Sequence, residues 1–324
     1  MEETGIAVPS DTLFSALCQA LLELEGEGWL QDWLEAFLRG PAPFLITSTF
    51  PWAGEVRFYP RPMVRVQFET DAAGRESHEP ASKRMKKIAY VSEGIFRLLL
   101  GGKMPHTEMA DANFLPGGLW ITGAEKAKLP AGLERIWAGP TKVPRVALDR
   151  ACNAPALYHV GEVRYSEGCG LWFAVRWREE AWRELLEKAL SHLSEAGIGG
   201  ERSAGKGQLR WERWGSAETA AGSKRGGRAV TLSLYHPTEG EVQRGLLGEA
   251  AYRLVLRRGW IGSAAGQGLR SRAVRMLAEG SVIADAEELG ELVDVTPKGF
   301  NAHPVYRYGL AFPVSFGEEA GWLS

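Results

Sequence analysis

The sequence predicts an α+β chain in two units. Three observations predict it. Apolar residues recur at helical spacing over residues 13–38, the period changes to two from Phe44 onward, and a strand-rich second half follows a linker-like stretch at 215–228.

The first helix carries Leu13, Leu17, Leu21 and Leu24 on one face, with Ser10 or Asp11 as its expected N-cap and Gly26 and Gly28 at its end. A second repeats Trp33 and Phe37 at i, i+4 and stops at Gly40-Pro41. Phe44–Phe50, Glu55–Tyr59 and Met63–Phe68 read as strands, and the polar stretch 70–87 as a loop. Ser92–Leu100 reads as a short helix. Val143–Leu148 reads as a strand, and Tyr158–Tyr165 is expected to pair with Leu171–Trp177 across Ser166-Glu167-Gly168. The clearest helix is Glu179–Ala196, with Trp182, Leu185, Leu186, Ala189 and Leu193 as its buried stripe. A strand is expected at Gln208–Trp214, and then at Ala229–Tyr235, Glu249–Arg257, Arg272–Leu277, Ser281–Ala284 and Val305–Phe316, with one weak helix near Glu241–Leu247. The expected domains are 1–214 and 229–324, joined by a linker at 215–228 whose Gly, Ser, Lys and Arg content is that of an exposed connection.

Composition narrows the function. No run approaches the ~20 apolar residues of a membrane span, and Met1-Glu2-Glu3 opens without a basic, then apolar, leader. Three scattered cysteines without a C-x-x-C pair predict free thiols in a reducing compartment, so a cytoplasmic protein is expected. The 38 Lys and Arg are offset by 40 Asp and Glu, so a polyanion partner requires local clustering of the basic residues.

One segment clusters them with glycine. Residues 197–207 place five glycines in eleven positions around Arg202, Ser203, Ala204 and Lys206. Glycine lets a ligand approach backbone N–H groups closely, and successive N–H groups form an anion-binding hollow that Arg202 and Lys206 reinforce. Gly200 to Lys206 fits G-x-x-x-x-G-K, but Gly207 stands where a nucleotide-binding loop needs Ser or Thr, and the loop joins helix to strand rather than strand to helix. A nucleotide triphosphatase is therefore set aside. A second glycine-rich segment, 259–270, holds Trp260 among Arg257, Arg258, Arg270 and Arg272, which suits a single-stranded polyanion and equally an ordinary connection. Lys83-Arg84-Met85-Lys86-Lys87 is the densest basic run. The six histidines show no metal-binding spacing, no G-x-S-x-G elbow exists, and the acidic run Asp285–Asp294 reads as a solvent-facing segment. No metal, no cofactor and no catalytic constellation is expected.

The loop after the long helix resembles the glycine-rich loop of the RAMP superfamily of CRISPR proteins. Further motifs resemble, within it, subunit four of the type III-A Csm effector complex. They are Ser10-Asp11-Thr12-Leu13-Phe14, Thr49-Phe50-Pro51-Trp52, Tyr59-Pro60-Arg61-Pro62 and Lys86-Lys87-Ile88, then Arg145 to Arg150, Leu232 to Thr238 and Pro304 to Gly309. The resemblance implies two ferredoxin-like (RRM-like) modules with antiparallel sheets. It also implies a non-catalytic role in holding the repeat-derived 5′ tag of the guide RNA. The implied partners are a large polymerase-like cyclase subunit and the backbone RAMP subunit that coats the guide, with no membrane involved.

On that basis Gly199, Gly200, Arg202, Ser203, Ala204, Gly205, Lys206 and Gly207 are expected to grip tag phosphates. The helix start at Ser10, Asp11 and Thr12 adds its positive dipole end. Phe50, Trp52 and Arg150 are expected at splayed bases, and Lys86, Lys87, Arg258 and Arg272 along the backbone. The sequence departs from the family in one respect: a strand usually precedes the first helix, and only nine residues do here. The first strand of the first module is therefore expected to be missing or reduced to a stub at residues 2–8.

Two alternatives stay open. A RAMP-type endoribonuclease needs a general base near the first helix or the glycine loop, and residues 5–25 and 197–210 hold no histidine. A protein-only adaptor could use Trp211, Trp214, Trp260 and Trp322.

Overall fold

The structure is a computed structural model that describes residues 5–64, 85–102, 105–148, 155–200, 202–215, 227–286 and 288–316. It is a mixed α+β fold with largely antiparallel sheets. Contacts group the chain into two units. One comprises Met1–Val8, Thr49–Arg61 and Arg65–Trp172, and the other Pro9–Ser48, Pro62–Val64 and Phe173–Ser324. The expected division at 215–228 does not coincide with these units. Long-range pairings such as the Ile46 N–H donating to the Tyr308 hydroxyl at 3.0 Å join the N-terminal part of the chain to the C-terminal strands. Linker composition is local and carries no trace of such pairings. Residues 216–226 lie outside the described residues.

The second unit begins with α1 (Ser10–Glu25) and α2 (Glu27–Leu38), set apart by Gly26 at φ 85°. Leu13, Leu17 and Leu21 are buried as the period demands. Trp33 and Phe37 of α2 meet Phe14 of α1 in an aromatic cluster that also takes in Phe44 and Tyr308. The N-cap of α1 is Pro9, not Ser10, since Ser10 already has helical backbone.

The expected strand Phe44–Phe50 is two short ones. β1 (Phe44–Ile46) belongs to the second unit, and β2 (Phe50–Ala53) to the first. No strand covers residues 63 and 64, and the rest of the expected strand Met63–Phe68 lies outside the described residues. Residues 5–9 form no strand before α1, and the rest of the expected stub at 2–8 lies outside the described residues.

The first unit is built on a six-stranded sheet. Its strands are β2, β3 (Val56–Pro60), β4 (Tyr90–Ser92), β5 (Phe114–Leu115), β6 (Leu119–Trp120) and β9 (Cys169–Trp172), in the order β5-β6-β4-β3-β2-β9. The helix α3 (Glu93–Leu100) packs against it. Ala53, Val56, Phe58, Leu119, Ile121 and Ile136 form a buried core.

A long hairpin completes this unit: β7 (Trp137–Leu148) pairs with β8 (Pro155–Tyr165). This corrects the expected pairing of Tyr158–Tyr165 with the chain that follows it. That chain is divided, β9 pairing with β2 and β10 (Val175–Trp177) with β1. The Ser-Glu-Gly turn read as a hairpin signal closes a different connection.

The rest of the second unit is α4 (Arg183–Ala196), α5 (Glu239–Gln243) and short strands. β11 (Arg228–Thr231) lies between β14 (Val282–Ala284) and β17 (Pro313–Phe316), β12 (Leu254–Arg257) pairs with β13 (Val274–Leu277), and β15 (Leu292–Asp294) with β16 (Tyr306–Tyr308). β15 lies inside the acidic segment read as solvent-facing, yet Leu292 is buried. Gln208–Trp214 is not a strand. It runs along α4, with the Trp211 indole N–H donating to Ser191 Oγ and Arg213 paired to Glu187 at 2.5 Å.

Candidate nucleic-acid interface

The glycine-rich loop leaves α4 at Gly197, whose N–H donates to the Leu193 carbonyl at 2.8 Å and whose φ is 80°. The loop is then closed at its base. The Ile198 N–H donates to the Gly207 carbonyl at 2.9 Å, and Leu209 N–H reaches back to Ser194. Two glycines are required there. A Cβ on Gly207 would stand 2.1 Å from the Ile198 carbonyl oxygen, and one on Gly197 would stand 2.7 Å from the Lys206 carbonyl oxygen. The tip is the opposite. A Cβ on Gly199, Gly200 or Gly205 meets nothing within 4 Å. Arg202–Ala204 form a single 3-10 turn, with the Gly205 N–H donating to Arg202. Arg202, Ala204 and Gly205 are exposed and Lys206 half-buried. A fixed base thus presents an open, glycine-lined tip.

Beside it, His192 of α4 pairs with Glu23 of α1 at 2.7 Å. The hydrogen bond from His192, with a further contribution from the charge of Arg202, holds the Glu23 carboxyl below the usual Glu range. His192 lies five residues before the loop, outside the stretches 5–25 and 197–210 that hold no histidine. The pair is partly exposed, so Glu23→Gln is expected to cost no more than about 1 kcal/mol in a denaturant titration.

The helix start is corrected. Ser10 and Asp11 are buried and engaged with the protein. The Ser10 N–H donates to Ser48 Oγ at 2.8 Å, and Ser10 Oγ accepts from the Leu234 N–H at 3.0 Å. Asp11 accepts two bonds from Arg257, each at 2.9 Å, and one from Arg307 at 2.5 Å, while Thr12 Oγ1 accepts from Arg257 at 3.1 Å. Burial pushes the Asp11 carboxyl up, but the two guanidinium groups outweigh it and hold the group below the ordinary Asp range. A buried carboxylate whose oxygens are taken up by two arginines offers nothing to a phosphate. These residues anchor the fold.

Phe50 is buried against Trp172, at 5.5 Å between ring centroids, so it is not free to stack on a base. Trp52 is half-buried, packed over Gly170. Lys86 and Lys87 are exposed on a turn between buried Met85 and Ile88, whereas Lys83, Arg84 and Arg150 lie outside the described residues. Arg258 and Arg272 are exposed in the second unit. Of the adaptor tryptophans, Trp214 and Trp260 are exposed, Trp211 is half-buried and Trp322 lies outside the described residues. Among the described residues, no group of three or more His, Cys, Asp or Glu could hold a metal ion, and no helix is long and apolar enough to cross a membrane.

Comparison with known proteins bears on this geometry. Residues 224–316 match the CRISPR Csm4 C-terminal domain family. The chain is 28% identical over 308 residues to "CRISPR system Cms protein Csm4" of Thermococcus onnurineus strain NA1, covering 94% of this chain and 90% of that protein. It is 27% identical over 322 residues to the protein of the same name from Mycobacterium tuberculosis strain H37Rv, covering 99% and 93%. In fold it is similar to a chain in the crystal structure of the Csm3-Csm4 subcomplex in the type III-A CRISPR-Cas interference complex, with a TM-score of 0.66 at 16% identity over 96% of this chain and 94% of that one. A chain in the crystal structure of the Csm1-Csm4 cassette in complex with cA4 gives a TM-score of 0.53 at 22% identity, covering 97% and 92%.

Proposed function

We propose that the chain is a Csm4-family protein and the guide-RNA-binding subunit of a type III-A CRISPR interference complex, a reading supported by the match of residues 224–316 to the Csm4 C-terminal domain and the 28% identity to a Csm4 protein. In this reading the tip of the 197–207 loop holds the phosphates of the repeat-derived 5′ tag. Backbone N–H groups of Gly199 to Gly207 cradle the anion, and Arg202 and Lys206 neutralise it. The observation that carries the reading is the loop's construction: a base that only glycine permits, and a tip that is open and cationic.

The chain joins a Csm1-type large polymerase-like cyclase subunit to a Csm3-type backbone subunit, as its fold relatives in the Csm1-Csm4 cassette and the Csm3-Csm4 subcomplex suggest. It works in the cytoplasm in antiviral defence and has no catalytic activity of its own. Its architecture is read as two ferredoxin-like modules, the first lacking its opening strand.

The test is tag-RNA affinity of the full chain against salt. Arg202→Ala with Lys206→Ala is expected to weaken binding roughly tenfold to hundredfold and to lower the salt slope by about 1.4, for two single-strand phosphate contacts. Unchanged affinity and slope would remove the loop from the interface.

One observation favours a second reading. His192, oriented by Glu23, whose carboxyl feels the charge of Arg202, is a general-base arrangement beside the loop. Metal-free incubation with repeat RNA separates the two: the binding subunit leaves the RNA intact, and specific cleavage lost in His192→Ala would establish the nuclease.

A further inference from the structure

Residues 250–278 carry six arginines and no acidic residue or lysine, in a chain whose net charge is −2. The structure folds this run into one extended hairpin. β12 and β13 pair Leu256 with Arg275 and Arg257 with Val274, the Ser271 N–H donates to Gly259, and the pairing resumes at Trp260 with Arg270. The loop 261–269 is closed by the Ile261 N–H donating to Leu269.

Only one of the six arginines faces inward with a carboxylate. Arg257 is the partner of Asp11, and Arg307, also held by Asp11, donates to Ser271 Oγ at 3.2 Å and so fixes the hairpin from beneath. Arg253, Arg258, Arg270, Arg272 and Arg275 are exposed. Among the described residues none of them forms an ion pair, though the Asp294 carboxyl is near enough to Arg272 to feel its charge. Trp260 is 53% exposed, and the Arg270 guanidinium lies over its ring at 4.4 Å. Leu254 and Leu256 are exposed on the same hairpin.

We propose that this hairpin is a second RNA-contacting surface, separate from the 197–207 loop, that takes single-stranded RNA with Trp260 as a base-stacking platform. The arginines supply phosphate contacts along two adjacent strands, and a Trp ring already oriented by a guanidinium stacks on an unpaired base at little entropic cost. Arginine rather than lysine throughout fits planar, bidentate phosphate recognition. An exposed apolar strip could instead seat a protein. The Arg270 guanidinium over Trp260 and the further exposed arginines along the hairpin favour nucleic acid.

The inference rests on the RNA-binding role proposed above, and its test keeps the two apart. The full chain is titrated with single-stranded guide RNA bearing its 5′ tag at several salt concentrations, beside the Arg202/Lys206 double variant. Arg258→Ala, Arg272→Ala and Arg275→Ala combined are expected to lower the salt slope by about 2. Trp260→Ala is expected to weaken binding roughly tenfold, with Trp260→Phe restoring most of it. If the wild-type chain binds no RNA, both readings fall. If it binds, and the hairpin variants match it in affinity and slope, this proposal alone is overturned. Unchanged RNA affinity with lost capture of the Csm1-type or Csm3-type subunit overturns it in favour of a protein-docking face.

Discussion

Replacing Asp11 by alanine is expected to lower unfolding free energy by about 3 kcal/mol, the low end of the cost of breaking a buried ion pair. The low end applies because Arg257 and Arg307 keep 26% and 13% of their side-chain surface exposed, while that of Asp11 is wholly buried. Removal leaves two guanidinium groups facing each other with their shared counter-charge gone. Asp11→Asn keeps the shape and isolates the charge. The pH dependence follows from the lowered folded-state pKa of Asp11. A depressed carboxylate stabilises the native state fully above its unfolded value of about 3.9, and this contribution is lost as pH falls through the folded value. The stability gap between wild type and Asp11→Asn should therefore be complete at neutral pH and narrow only below about pH 4. Denaturant titrations across that range check it. A gap that shrinks near pH 6 would assign the stabilisation to another group.

Gly207→Val is expected to weaken tag binding as much as removing Arg202 and Lys206, roughly tenfold to hundredfold, although both cations remain. The φ of Gly207 is 76°, and a Cβ there would stand 2.1 Å from the Ile198 carbonyl oxygen and 3.0 Å from Ile198 N. A β-branched residue at such a position costs about 3 kcal/mol. The loop base is held by a few hydrogen bonds, from Ile198 to Gly207 and from Leu209 to Ser194, so opening the base is cheaper than unfolding the chain. Global stability should fall by less than about 1 kcal/mol, while the Ile198 amide loses its hydrogen-exchange protection. An intact loop with undiminished RNA affinity in this variant would show that the backbone geometry is dispensable.

The elements legible in the sequence were those whose cause is local. The α1 stripe of Leu13, Leu17 and Leu21, the Trp33 and Phe37 pair, and the stop at Gly197 follow from periodicity and glycine. Long-range pairings were not legible. Nothing near Tyr158 indicates that it faces Arg145 rather than the strand that follows, and the division of the chain after Ser48 depends on contacts across hundreds of residues. The site divided in the same way. The glycine-rich turn after the long helix was legible because glycine spacing is itself the signal. Ser10 and Asp11 were misread because a polar pair at a helix start looks alike whether it caps an exposed end or anchors a buried arginine. Phe50 was misread because strand alternation does not say which face is covered. The glycine-rich segment 259–270 with its flanking arginines stood out in the sequence, but only the hairpin geometry joins its two ends.

The most direct test of the account is a protein–RNA crosslinking map of the assembled complex, using a guide with photoreactive bases in its 5′ tag and mass-spectrometric assignment of the crosslinked residues. Crosslinks within residues 199–207 are predicted, and they should be lost in Gly207→Val. A tag that crosslinks efficiently elsewhere, and leaves that loop untouched, would contradict it.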